Sequence, residues 1–465
     1  MPQALDTPRT KSHLDYLHEM RDFAGVRQTP GLTDAIIQDF LDSGYHQLAV
    51  AIERGYTRFL ELRESHADFV ALDESEQISL AHGGLTNFYA EDAVNPYVAV
   101  SASGPWVVSL KGAVIYDCGG YGMLGLGHVP EAILAAMNKP HVMANIMTAS
   151  VSQVDFVAGL RREIGHTRSE GYAIMGLTLQ GSFHGRTDRP ARYSDSCARQ
   201  YAKHLASYRD RDYLLKVEPN NIEALEKVFA EAFDDGIFIE AFFMEPVMGE
   251  GNPGMPIEPE FYARARELTR EYGSLFVVDS IQAGLRAHGV LSIVDYPGFR
   301  DLDPPDMESY SKALNAGQYP LSVLALSEST AAMYKQGLYG NTMTTNPRAL
   351  DVAIAVLHSF SEERRENIRV RGKQLVDGLL SLATQTDGGI THAQGTGLLA
   401  SCELATRYKT YGSDSTEDYL RRHGLGVIHG GAHSLRYTPI FDITSKEVDL
   451  IVELTKNALL NGPTH

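Results

Sequence analysis

Between residues 172 and 345, short apolar runs alternate with segments that have the spacing of amphipathic helices. The apolar runs are Ala173 to Leu179, Ile237 to Met244, Leu275 to Val278 and Leu321 to Leu326. Strands that alternate with helices in this way usually form a parallel sheet with helices on its faces. We therefore predict an α/β fold, with a large domain built on a mostly parallel sheet flanked by helices.

The chain on either side of this region has other patterns. Residues 1–96 carry apolar residues at helical spacing, which predicts an N-terminal helical extension. Residues 97–346 would form the large domain, beginning with a hairpin that turns at Lys111 and Gly112. Residues 347–465 contain helical stretches and two further apolar runs, which predict a smaller C-terminal α/β domain.

Charge and cysteine content exclude several classes of function. The chain has 41 Lys and Arg against 59 Asp and Glu, a net charge of −18 that repels nucleic acids and anionic membranes. Cys118, Cys197 and Cys402 lie far apart, so we expect neither a disulfide framework nor a metal site from them. His429 and His433 have a spacing that suits zinc, but no further ligand is near, and we predict no metal. We see no secretory signal and expect a cytoplasmic protein.

Residues 119–127 form a glycine-rich segment that contains the pattern GxGxxG. This pattern can mark a dinucleotide-binding turn, which needs an acidic residue about 20 positions further on to hold the ribose. Residues 141–147 contain no carboxylate. The alternative is a flexible turn before a helix at Glu131 to Met137 that begins after Pro130.

Polar residues follow two of the apolar runs and end a third short segment, Met307 to Lys312, at places where ligands of open α/β sheets usually bind. They are Glu245, Asp279 and Lys312. An Asp facing a heteroaromatic nitrogen and a Lys able to form a Schiff base are the two protein groups that pyridoxal phosphate requires. Without further information, Asp279 could equally be a helix N-cap and Lys312 a solvated surface lysine.

Seven sequence blocks decide between these interpretations. The chain resembles the class III aminotransferases, the ω-aminotransferase branch of the fold type I pyridoxal phosphate enzymes, over about residues 105–460. The blocks occur in the family's order and are Gly119 to His128 with Pro130, Phe183 to Thr187, Glu245 to Gly251, Asp279 to Gln282, Ser311 with Lys312, Thr342 to Pro347, and Leu435 to Pro439.

The resemblance implies pyridoxal 5′-phosphate as the cofactor and assigns roles to residues around it. Lys312 would be the Schiff-base lysine, and Asp279 the partner of the pyridinium nitrogen. Gln282 would hydrogen-bond the phenolic oxygen of the ring, and Phe183 would stack on its face. His184 and Glu245 lie in the matching blocks, and we include them among the cofactor-binding residues.

The resemblance also implies a subunit arrangement and substrates. Thr342 matches a threonine that reaches the phosphate from the neighbouring subunit, which implies a homodimer with shared active sites. Arg436 matches an arginine that binds a substrate carboxylate, and Glu250 a glutamate that pairs with that arginine when the amine donor does not need it. One pocket could then accept both an ω-amine and a 2-oxo acid such as 2-oxoglutarate.

The chain departs from the family pattern in three places. Ser280 stands where the family usually has Glu, and Met248 where it usually has Gln. Before Phe183 the family normally has a strand, a turn and a helix of roughly 30 or more residues, whose helix N-terminus binds the cofactor phosphate. Here the interval contains only residues 152–180 and no such turn.

The predicted activity is therefore the transfer of an amino group, in particular a terminal one, from an amine or amino acid to a 2-oxo acid. Two alternatives stay open at this point. An aminomutase or epimerase of the same family would use the same lysine without releasing an oxo acid. A non-catalytic homologue that has lost the phosphate-binding turn would explain the shortened interval.

Overall fold

The computed structural model describes residues 11–83, 94–119, 122–141, 149–164, 175–185, 192–204, 214–333 and 345–464. Its main sheet contains six strands, in the spatial order β5-β4-β6-β7-β8-β9. They are β4 (Met175–Leu179), β5 (Leu214–Val217), β6 (Ile239–Met244), β7 (Leu275–Asp279), β8 (Met307–Tyr310) and β9 (Val323–Leu326). Neighbouring strands are parallel except for β8 and β9, which are antiparallel. The predicted mostly parallel sheet is thus confirmed.

The central strands are buried because helices cover the sheet. Phe242 on β6 and Phe276 on β7 stack with their ring centroids 5.6 Å apart. A helix, Pro259–Glu271, packs Phe261 and Tyr262 into the same core. Proline at its first turn lacks the amide hydrogen that would have no partner there, which explains where this helix begins.

Two smaller sheets complete the strand content. One has the order β1-β2-β3-β12 and the other β10-β11-β14-β13. The strands are β1 (Ala99–Ser103), β2 (Trp106–Ser109), β3 (Val114–Asp117), β10 (Ile390–Thr396), β11 (Leu399–Leu404), β12 (Leu425–Gly426), β13 (Ile428–Gly430) and β14 (Ser434–Tyr437). The second sheet and its helices form the C-terminal α/β region that the sequence predicts.

The hairpin of β2 and β3 forms as predicted, and its open edge pairs with a strand from the C-terminal part of the chain. β3 pairs in parallel with β12, with Tyr116 opposite Leu425. The strands at residues 99–117 therefore share a sheet with the C-terminal region, whereas the sequence division at residue 97 grouped them with the large domain. The physical reason is that pairing with β12 gives the open edge of the hairpin its backbone hydrogen bonds.

Helices surround the three sheets. In chain order they are α1 (His13–Arg21), α2 (Asp34–Asp42), α3 (His46–Ser65), α4 (Ala67–Ala71), α5 (Glu74–His82), α6 (Glu131–Met137), α7 (Val151–Ile164), α8 (Ala198–His204), α9 (Ile222–Asp234), α10 (Pro259–Glu271), α11 (Glu328–Met333), α12 (Pro347–His358), α13 (Glu362–Gln385), α14 (Thr416–Arg422) and α15 (Ser445–Asn461). The expected N-terminal helical extension corresponds to α1–α5, and α6 is the expected helix after the glycine-rich segment. Over the described ranges, none of these helices has the length and apolar character needed to cross a membrane.

The interval before Phe183 is as short in the structure as in the sequence. Only residues 165–174 separate the end of α7 from the start of β4. This number of residues is too small for the strand, turn and helix of the family pattern, which need roughly 30 or more residues. The described sheet ends at β9, where Leu324 and Leu326 are 53% and 36% exposed.

Candidate active site

The carboxyl ends of four parallel strands bring the candidate residues to one edge of the main sheet. His184 follows β4, Glu245 follows β6, Asp279 ends β7, and Lys312 lies two residues after β8. Because these strands are neighbours and run in the same direction, their carboxyl ends share one edge. The convergence that the sequence pattern suggested is therefore present.

The Asp279 carboxylate is buried against His184. His184 Nδ1 lies 2.7 Å from Asp279 Oδ2, and the two side chains are 2% and 10% exposed. Burial alone would raise the pKa of Asp279, but the hydrogen bond and charge of His184 hold it below its usual range. Burial lowers the pKa of His184, yet the hydrogen bond and charge of Asp279 raise it overall. Each member of the pair thus favours the charged form of the other.

Further hydrogen bonds fix both members of this pair. Asp279 Oδ1 accepts from the backbone N–H of Ile281 and from Ser309 Oγ, each at 3.1 Å. His184 Nε2 lies 3.1 Å from Thr178 Oγ1 on β4. Both faces of the pair are thus held by the ends of the neighbouring strands.

Lys312 begins a short 3-10 helix in a strained backbone conformation. Its φ angle is +43°, in the left-handed region that costs a non-glycine residue on the order of 1–3 kcal/mol. Ser311 Oγ and Asn315 Nδ2 both donate to the carbonyl of Leu321, at 2.6 and 3.1 Å, and hold this turn in place. Lys312 Nζ donates to Gln282 Oε1. Strain of this kind is found where a side chain must be aimed at a site.

The electrostatic surroundings favour a partly neutral amine at position 312. Burial, followed by the positive charge of Arg436, lowers the pKa of Lys312 to about 8. Asp279, Glu245 and Glu250 act in the opposite direction. About a tenth of the amine is neutral at pH 7, so the group can act as a nucleophile and as a base.

Glu245 connects the two sides of the site through backbone amides. Its Oε1 accepts from the N–H of Phe183, and its Oε2 accepts from the N–H of Gly249, each at 2.9 Å. Gln282 Nε2 donates in turn to the carbonyl of Gly249 at 3.1 Å. Burial raises the pKa of Glu245 to about 7. Glu245 therefore acts on the site through the Phe183 and Gly249 backbone.

Arg436 and Glu250 meet at the side of the site that faces the C-terminal region. Arg436 lies on β14, and its Nη1 donates to Glu250 Oε2 at 3.1 Å and to the carbonyl of Gly249. The arginine side chain is 3% exposed and the glutamate side chain 34% exposed. Arg436 Nε is buried and has no hydrogen-bond partner among the residues that the structure describes. A carboxylate ligand could therefore take the place of the Glu250 carboxylate and bind the buried guanidinium of Arg436.

Two of the departures from the family pattern have a structural explanation. Ser280 donates its hydroxyl to Glu308, a buried residue on β8 that also accepts from Ser292 Oγ and the N–H of Ile293. Met248 is buried in the core of the main sheet. Thr342 lies outside the described residues.

Several residues that organise the site have no signal in the sequence. Thr178 and Ser309 contact the predicted residues, but their types are common and nothing in their spacing marks them. Gly249 lies in the Glu245 to Gly251 block, but the resemblance assigns it no role. Arg286 is fully buried four residues after Gln282, and the burial of an arginine is not visible in sequence. Only the tertiary structure identifies these four.

The described residues fit pyridoxal phosphate at its ring. An ionised carboxylate, Asp279, suits a protonated ring nitrogen, and the amine of Lys312 with its lowered pKa suits an aldehyde. Gln282 beside that amine suits the phenolic oxygen. Gly122 lies beside this group, because a Cβ added there would lie 3.7 Å from Gln282 Cγ and 3.8 Å from Lys312 Cδ.

Comparisons with known proteins agree with this arrangement. The sequence model of the family Aminotransferase class-III matches residues 160–459. The acetylornithine aminotransferase of Neisseria meningitidis serogroup A is 28% identical over 379 residues, which cover 75% of this chain and 90% of the relative. The ornithine aminotransferase 2 of Staphylococcus aureus is 30% identical over 281 residues, covering 60% of this chain and 64% of the relative.

Solved structures show the same fold. The ornithine aminotransferase of Toxoplasma gondii ME49 superposes with a TM-score of 0.67 at 21% identity, covering 86% of this chain and 98% of the other. The acetylornithine aminotransferase of Elizabethkingia anophelis gives a TM-score of 0.67 at 21% identity, covering 83% of this chain and 98% of the other. The chain has the fold type I architecture and belongs to the class III aminotransferases, enzymes that depend on pyridoxal 5′-phosphate.

Proposed function

We propose that this aminotransferase moves a terminal amino group from an amine or amino acid to a 2-oxo acid such as 2-oxoglutarate. The observation that carries the proposal is the contact between Arg436 and Glu250 beside Lys312. A buried guanidinium that a partly exposed glutamate neutralises can serve two kinds of substrate. The relatives named after ornithine and acetylornithine support a donor whose reacting amine lies far from its α-carboxylate.

The site residues would hold the cofactor as follows. Lys312 would attach at its aldehyde, Asp279 with His184 behind it would face the ring nitrogen, and Gln282 the phenolic oxygen. Phe183, held by Glu245, would cover one face of the ring. When bound, pyridoxal phosphate supplies a ring that accepts the electron pair left as a bond to the substrate carbon breaks.

The chain's own groups would then manage the proton. The Lys312 amine would take the proton from the substrate carbon and deliver it to the cofactor carbon. Its pKa of about 8 permits this transfer near neutral pH. Asp279, held ionised by His184, would keep the ring nitrogen protonated. Arg436 would orient the acceptor by its carboxylate while Glu250 moves aside.

We further propose a homodimer in which Thr342 contacts the phosphate of the neighbouring subunit. The family resemblance of this position is the support for that role. We also propose a cytoplasmic location, which the low cysteine content of three in 465 residues supports.

One observation favours a second candidate, a homologue that folds but retains the cofactor poorly. It is the short interval between α7 and β4, which has fewer residues than the strand, turn and helix of the family's phosphate site need. A chain too short to supply that helix N-terminus would deprive the phosphate dianion of a favourable backbone environment.

A titration with pyridoxal phosphate followed by borohydride tests the assignment. We expect a yellow protein, cofactor mass fixed at Lys312, and formation of a new oxo acid from an ω-amino acid and 2-oxoglutarate. A colourless folded dimer would support the second candidate. A yellow protein that isomerises the donor and forms no oxo acid would support an aminomutase or epimerase. Full activity in Lys312→Ala would contradict the proposed chemistry.

A further inference from the structure

Arg286 is a buried cation that the proposed chemistry does not use. Its residue exposure is 0%, and burial lowers its pKa to about 9. Within the described part of the chain, no carboxylate forms an ion pair with it, and its Nε has no hydrogen-bond partner. An unpaired buried charge is costly, so its surroundings must compensate in another way.

The compensation comes from three separate segments. Arg286 Nη1 donates to the carbonyl of Leu398 at 3.1 Å and to the carbonyl of Pro439 at 2.6 Å. Its Nη2 lies 3.4 Å from the carbonyl of Gly122. The guanidinium carbon also lies 5.0 Å from the centre of the Phe441 ring. One side chain of the large domain thus contacts the glycine-rich segment and two places in the C-terminal region.

The same two regions are joined directly next to Arg286. The N–H of Thr438 donates to the carbonyl of Cys118, and the N–H of Phe441 to the carbonyl of Gly125, each at 2.7 Å. A Cβ at Gly125 would lie 2.2 Å from Phe441 Cζ, so this close approach requires glycine. The glycine-rich segment is therefore the surface on which residues 436–441 dock.

This junction lies against the reactive lysine. A Cβ added at Gly122 would lie 3.7 Å from Arg286 Nε and 3.8 Å from Lys312 Cδ. Pro439 follows Arg436 by three residues. The position of Arg436 relative to Lys312 therefore depends on how residues 436–441 dock.

We propose that Arg286 is a positioning residue that locks residues 436–441 onto the glycine-rich segment and so places Arg436 for a substrate carboxylate. The proposal rests on the proposed role of Arg436. Arginine suits this task because its five N–H donors point outward within one rigid plane and can reach carbonyls from different segments. A lysine amine is a single point and cannot span all three carbonyls.

The test compares Arg286→Met and Arg286→Lys with a matched control, Arg266→Met. Arg266 is also a buried arginine, 4% exposed, but it pairs with Asp306 through two hydrogen bonds of 2.7 and 2.8 Å. Asp306 immediately precedes β8, so the control pair lies at the amino ends of the strands, away from the junction. Each full-length variant is measured with added pyridoxal phosphate for glutarate binding and for amide hydrogen exchange.

We expect Arg286→Met to weaken glutarate binding about tenfold or more and to accelerate exchange in peptides covering residues 118–127 and 434–443. Arg286→Lys should have an intermediate effect in both measurements, and it decides the question if the methionine variant does not fold. Arg266→Met should lower stability while leaving glutarate affinity within about twofold.

The proposal would be overturned if folded Arg286→Met showed unchanged glutarate affinity and unchanged hydrogen exchange. If Arg286→Met does not fold, the same result in Arg286→Lys would overturn it. If the wild-type protein does not bind glutarate, the proposed role of Arg436 fails. The exchange comparison still decides whether Arg286 locks the junction.

Discussion

His184 Nδ1 and Asp279 Oδ2 lie 2.7 Å apart at the buried edge of the main sheet, and each shifts the pKa of the other toward its charged form. The pair joins the end of β7 to the turn after β4. This contact favours the ionised form of Asp279, the group that would face the cofactor ring. It also holds the end of β7 close to the turn after β4.

Replacing His184 should lower stability. Removing one member of a buried ion pair leaves an unpaired charge and typically costs about 3–5 kcal/mol. We expect His184→Asn to lose an amount of this order in chemical denaturation and to bind pyridoxal phosphate more weakly. His128→Asn is the control, because His128 pairs with Asp117 with side chains 24% and 19% exposed and should cost less. Equal losses in the two variants would contradict the assignment.

The pH dependence of stability should show the same pair. The raised pKa of His184 contributes stability that is fully present below its unfolded value near 6.5 and is lost as the pH rises through the folded value. The lowered pKa of Asp279 contributes stability that is present above about pH 3.9 and is lost as the pH falls through the folded value. The difference in unfolding free energy between wild type and His184→Asn should therefore be largest between about pH 4 and 6.5. A difference that does not vary with pH would argue against an ionised pair.

The reactivity of Lys312 should follow its lowered pKa. In cofactor-free protein, the rate of modification at this amine should reach half its maximum at about pH 8. In Arg436→Met the midpoint should move upward, because the positive charge that disfavours the protonated amine is gone. Mass spectrometry of the modified peptide measures both midpoints. Surface lysines such as Lys373 serve as internal references, and a midpoint equal to theirs would contradict the buried site.

Glu250 should compete with acidic ligands for Arg436. Arg436 must break its charge-assisted hydrogen bond to Glu250 before it can bind a ligand carboxylate. Removing the Glu250 charge should therefore strengthen the binding of glutarate by about tenfold. Glu250→Gln tests this by isothermal titration. Glu258→Gln removes an exposed carboxylate that makes no capping hydrogen bond and should leave affinity unchanged. Weaker binding in Glu250→Gln would mean that Glu250 does not oppose the ligand.

Gly249 should tolerate no side chain. A Cβ there would lie 2.9 Å from both Gln282 Cδ and Glu245 Oε2, so Gly249→Ala must displace one of them. We expect cofactor affinity to fall by about tenfold or more, with a loss of roughly 1–3 kcal/mol in stability. Gly159→Ala is the control, because this helical position on α7 has only ordinary contacts and should gain about 0.5–1 kcal/mol. Titration with pyridoxal phosphate and thermal unfolding separate the two outcomes.

The amino-acid sequence alone was enough to predict the parallel sheet, the hairpin, and the carboxylate and amine at the strand ends. Hydrophobic period and local turn chemistry encode these features, and motif blocks such as Asp279 to Gln282 added the roles of individual residues. The short interval before β4 was also visible as a simple count of residues.

The groups that complete the site become visible once distant segments are packed together. The ion pair of His184 joins residues 95 positions apart, and the carbonyls around Arg286 lie up to 164 positions from it. Likewise, Tyr116 on β3 pairs with Leu425 on β12, which lies 309 positions further along the chain. Such contacts depend on packing between distant segments, whereas spacing and composition report only on neighbours along the chain.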